Sequence, residues 1–114
     1  MNHFFDYHHP FEVLREAAGQ KVVFCYECQL YHVHYGTIAL DLSERGIQTL
    51  NITLGRYLAM YDGTIDPKRR CIEVETPCEG IRLLLSTHDL HAFKELLTDS
   101  VGEFEERIRL RRLN

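Results

Sequence analysis

Ile38-Ala39-Leu40-Asp41-Leu42-Ser43 and Ile81-Arg82-Leu83-Leu84-Leu85-Ser86 stand 43 residues apart and share one pattern, Ile-x-Leu-x-Leu-Ser. In each, alternating apolar residues read as a strand with one wet face. The serine that follows can accept a hydrogen bond from a free amide of a helix start. Apolar residues at the fourth and seventh positions after it (Ile47 and Leu50; Leu90 and Phe93) then continue with helical spacing. A chain that runs strand, cap and helix twice has two amphipathic helices to bury against strands. The expected fold is α+β: a short N-terminal helix, then two β-β-α units, giving a mainly antiparallel four- or five-stranded sheet with two long helices on one face.

The punctuation sets the boundaries within a single domain, 1–114. Residues 1–20 are an N-terminal segment and short helix, 21–63 the first β-β-α unit and 64–114 the second. Pro10 suits a first helical turn and Gly19 a helix end, so 11–18 is expected to be helical and to bury Phe11 and Leu14. Ser43 caps the first long helix, Asp62-Gly63 ends it, and 64–70 is a loop around Asp66-Pro67. Residues 72–75 and 81–85 form a hairpin. The final helix, from Thr87 to about Leu113, would be roughly 40 Å long, against about 23 Å for a strand of six or seven residues. Glu103 with Arg107 and Glu105 with Arg109 are paired along it, and the late Ile108, Leu110 and Leu113 predict a homodimer formed through this helix.

Composition excludes several classes. With 17 acidic residues against 13 basic ones the net charge is −4, which argues against binding nucleic acid by bulk electrostatics. Lys68-Arg69-Arg70 and the arginines at 107, 109, 111 and 112 are read as solvating surfaces. The chain has no run of about 18 apolar residues and does not open on a basic segment followed by an apolar one, so a cytoplasmic location is expected. In that compartment its four cysteines are reduced thiols or metal ligands.

Cys25-Tyr26-Glu27-Cys28, followed by His32 and His34, is the sharpest chemical motif. Thiolates and imidazoles are the ligands zinc prefers, and a two-residue gap lets a tight turn aim both sulfurs at one ion. Cys25, Cys28, His32 and His34 are the candidate zinc ligands, and Cys71 and Cys78 could supply a second pair. Positions 25 and 28 face opposite ways in an unbroken strand, so a shared ion demands a turn at Tyr26-Glu27. Gln29 occupies the place where glycine would ease such a turn. The competing reading makes Cys25 and Cys28 ordinary small apolar side chains. A redox role would want the pair at a helix N-terminus, and this pair lies in β-rich sequence. His88 and His91 are read as solvent-facing. No phosphate-binding glycine loop, nucleophile elbow, HExxH or paired catalytic carboxylate is present, and no catalytic residue is assigned.

Cys25, Cys28, Tyr35, Gly36, Ile38, Leu40, Leu42, Ser43 and Ile47, with Leu83-x-Leu85-Ser86 later, resemble a group of short uncharacterised proteins of Bacteroidetes-type bacteria, a domain of unknown function with a CxxC and a strand ending in aromatic-Gly. The resemblance covers most of the chain. It implies a bacterial cytoplasmic protein and transfers no catalytic or binding residue.

These features predict a non-enzymatic interaction or regulatory module, dimeric, to which a structural zinc at the CxxC is an optional addition and not a requirement. The alternative is a small-molecule-binding protein or enzyme. Its site would lie between the wet sheet face and the N-terminal segment, where His3, His8, His9, His32 and His34 would gather.

Overall fold

The segment expected to be a short helix is a strand. In the computed structural model, which describes residues 11–113, β1 (Phe11–Ala17) pairs antiparallel with β2 (Gln20–Cys25). Leu14, Arg15, Glu16 and Ala17 are good helix formers, but so short a helix is marginal by itself, and pairing with β2 satisfies its backbone instead. Glu12 and Leu14 are buried while Phe11 and Val13 are exposed, the two-residue period of a strand. Gly19, at φ +74°, forms the hairpin turn rather than a helix end. The expectations for residues 1–10 lie outside the described residues.

β3 (Leu30–Tyr35) and β4 (Ile38–Leu42) complete a four-stranded antiparallel sheet in the order β1-β2-β3-β4. Gly36 takes φ +59° in the two-residue turn between them. Cross-strand pairing stacks Glu12, Phe24, Tyr31 and Leu42 in one row and Val22, Val33 and Leu40 in the next, and all seven are buried. Ser43 Oγ accepts from Gly46 N at 3.0 Å and starts α1 (Glu44–Tyr61), whose Ile47, Leu50 and Leu54 join the core.

The second hairpin does not extend that sheet. β5 (Ile72–Glu75) and β6 (Arg82–Leu85) form a separate two-stranded sheet, so a single sheet drawing on both halves of the chain is not what forms. Residues 62–71 deliver β5 against α1, and the pair turns Ile72, Val74, Leu83 and Leu85 into the same apolar cluster. The expectation held for the hairpin and failed for its place, because helix contacts rather than strand edges receive it.

α2 (Thr87–Leu113) begins at a reciprocal cap. Ser86 N donates to Asp89 Oδ2 and Asp89 N donates to Ser86 Oγ, each at 3.0 Å. Leu90, Phe93, Leu96 and Leu97 are buried, and the helix packs on α1, where Lys94 Nζ reaches Asn51 Oδ1 at 2.6 Å. None of residues 101–113 is fully buried. Arg107 pairs with Glu103 as expected, whereas Arg109 takes Glu106 one turn earlier in place of Glu105. Among the described residues, no helix is long and apolar enough to cross a membrane.

Candidate metal centre

β2 ends at Cys25, and residues 26–29 turn the chain back into β3. Gln29 N donates to Cys25 O at 2.8 Å, closing the turn. Gln29 itself adopts φ +60°, the conformation that favours glycine, and its side-chain amide bonds Tyr26 O at 2.7 Å. This turn removes the obstacle posed by an unbroken strand. It folds Cys28 back over Cys25, so that Cys28 N donates to Cys25 Sγ at 3.3 Å.

His32 enters from β3. It pairs with Val23 on one side and Asp41 on the other, on the face of the sheet that carries Cys25, opposite the buried row of Phe24 and Tyr31. Its Nε2 lies 3.7 Å from Cys28 Sγ, and the ligand atoms of Cys25, Cys28 and His32 all lie within 4.8 Å of one another. With Zn–S near 2.3 Å and Zn–N near 2.0 Å, a tetrahedral site has ligand–ligand edges of roughly 3.6 Å. The Cys28 Sγ–His32 Nε2 edge of 3.7 Å matches that size, and the donor set of two sulfurs and one imidazole is one that zinc favours.

Three of the four expected ligands therefore come together. His34 does not join them. It lies one pleat further along β3, between Lys21 and Ala39, and is exposed. Cys71 is exposed and Cys78 half-buried, and neither belongs to the cluster. His88 and His91 are exposed, and His91 Nε2 contacts Asp62 Oδ2 at 3.0 Å.

Burial and hydrogen bonding shift the three groups in different directions, and of them Cys25 alone moves towards its metal-ligating form. Burial opposes ionisation of Cys25, but hydrogen bonds from the Cys28 side chain and backbone and from His32 outweigh it and lower its pKa. Its hydrogen bond with Cys25 raises that of Cys28. Burial alone would lower the pKa of His32, yet the hydrogen bond to Asp41 raises it. Asp41 Oδ1 engages His32 Nδ1 at 2.6 Å, which leaves Nε2 directed at the sulfurs, the carboxylate–histidine arrangement common behind metal ligands.

Sequence reasoning missed Asp41, although a signal existed. A two-residue turn at Gly36-Thr37 sets a register in which position 32 faces position 41. It also missed Glu12, which is buried and met by Tyr26, Arg107 and Arg111. No local pattern marks that group. Comparison of the chain with family models, curated proteins and solved structures finds no match.

Proposed function

We propose that the chain is a small zinc-binding module in which Cys25, Cys28 and His32 hold the ion and Asp41 orients the imidazole. The convergence of three ligand atoms within 4.8 Å carries this reading. A turn built around an unfavourable Gln29 backbone, and an N–H aimed at Cys25 Sγ, support it. In this reading both helices cover one face of the four-stranded sheet, and the metal group stands on the other. The ion's contribution is structural: it ties the 26–29 turn to β3, so that the module acts by binding rather than by catalysis. A homodimer through the end of α2, where Leu110 and Leu113 are exposed, and a cytoplasmic bacterial setting complete the proposal. The kinship with short Bacteroidetes-type proteins rests on the sequence motifs alone.

The test is metal analysis of protein purified without a histidine tag. About one zinc per chain is expected, lost in Cys28→Ser and His32→Ala and retained in Cys71→Ser. Wild-type protein that takes up no zinc from a metal-buffered solution would overturn the reading, and a monomer in sedimentation would remove the dimer.

A further inference from the structure

Tyr26 stands between the two metal-site cysteines in sequence, but its side chain works on the opposite face of the sheet. Its ring packs on Phe24 and Phe104, with centroids 5.2 and 6.0 Å away. Its hydroxyl donates to Glu12 Oε1 and receives Arg111 Nη1 at 2.6 Å.

Glu12 is the centre of a clamp on the end of α2. Arg111 Nη2 donates to both of its carboxylate oxygens, at 2.8 and 2.9 Å, and Arg107 Nη1 reaches one of them at 2.9 Å. Arg107 Nη1 also bonds Val13 O at 2.9 Å. A carboxylate that is 9% exposed is tolerated only with such partners. No residue of 101–113 is fully buried, so the clamp and the half-buried Phe104 do much to seat the last turns.

We propose that occupancy of the Cys25–Cys28–His32 site and docking of the last turns of α2 are one linked equilibrium, with Tyr26 as the connecting residue. The proposal rests on the zinc reading. Two sulfurs bound to one ion restrict the backbone of the turn, and that backbone aims Tyr26 at Glu12 and Arg111. The two Gln29 bonds close the turn, but the contacts made by Cys28 itself towards Cys25 and His32 are an N–H···S bond of 3.3 Å and a side-chain approach of 3.7 Å, which shared ligation would tighten. Whatever the ion adds to docking of the helix, docking must return to the affinity for the ion. Tyr26, Glu12 and Arg111 are thus positioning residues for a metal they do not touch.

The test combines zinc affinity, from competition with a chromophoric chelator, and hydrogen exchange over residues 105–113. Arg111→Ala and Tyr26→Phe should each weaken zinc binding by about fivefold or more, the low end of ordinary coupling between sites. Arg109→Ala, which removes the same charge from a solvent-facing pair with Glu106, should leave affinity unchanged. Zinc should slow exchange at 105–113 in wild type but not in Cys28→Ser. Tyr26→Phe keeps the ring and its packing, so its result stands even if Arg111→Ala disturbs folding. Zinc bound with unaltered affinity by both variants, or exchange indifferent to zinc, overturns the linkage and leaves the metal reading intact. Failure of wild type to bind zinc overturns both.

Discussion

Asp41 Oδ1 lies 2.6 Å from His32 Nδ1, across the β3–β4 pair, and this contact decides which imidazole nitrogen faces Cys28. Outer partners of this kind typically contribute 10- to 100-fold in metal affinity. Because the Asp41 side chain is 65% exposed, Asp41→Ala should fall at the lower end, about tenfold weaker zinc binding by chelator competition. His34→Ala, on the same strand outside the cluster, should bind zinc as wild type does.

Acid should weaken the fold through two buried carboxylates. Burial of Glu12 would raise its pKa, but hydrogen bonds from Tyr26, Arg107 and Arg111 bring it from 4.5 to about 2. For Asp89, burial is likewise outweighed by Arg70, Ser86 and Tyr35, which bring it from 3.8 to about 2. Both native values lie below the unfolded ones, so the stabilisation is full above about pH 5 and is lost as pH falls towards 2. Each group contributes on the order of 2–3 kcal/mol across that window. Urea midpoints measured from pH 6 to pH 2.5 should fall steadily, and Glu12→Gln should flatten the slope. A profile in which Glu12→Gln keeps the wild-type slope would show that the Glu12 clamp is not the source.

The two capping serines should prove structural. Ser43→Ala removes the bond to Gly46 N and should cost about 1 kcal/mol in urea unfolding, with zinc content unchanged. Ser86→Ala also strands the buried Asp89 N–H and should cost about 1–2 kcal/mol. Loss of zinc in Ser43→Ala without loss of stability would contradict this assignment.

Gln29 holds a left-handed backbone with no glycine to ease it. A β-branched residue tolerates that conformation poorly, so Gln29→Val should lower stability by about 1–2 kcal/mol and weaken zinc binding with it. Gln29→Gly should retain one zinc per chain. Metal analysis beside urea unfolding checks both.

The legible parts of the site share a cause. The CxxC is a local chemical signal, and the His32–Asp41 pairing follows from a two-residue turn at Gly36-Thr37 that can be counted in the sequence. The turn that unites Cys25 with Cys28 was not legible, because Gln29 adopts its φ of +60° against local preference. Nor was β1. Its residues prefer a helix locally, and the strand is set by pairing with β2 and by the need of Glu12 for arginines 95 and 99 residues away. His34 shows the opposite error: a shared face with His32 was apparent, but one pleat of separation put it outside the cluster.

By itself the sequence determined two strand–serine–helix junctions and their apolar faces, since alternation, helical spacing and a capping hydroxyl act within a few residues of one another. Only the tertiary structure decided that residues 11–17 are a strand, that the second hairpin forms its own sheet, and that three ligands rather than four converge. Those outcomes depend on strand register, on burial of a distant ion pair and on which surface receives each element. The ion pair and the receiving surface join segments far apart in the chain, while the strand pairing and the Gln29 turn act between neighbours but against local preference, so no local pattern encodes their energies.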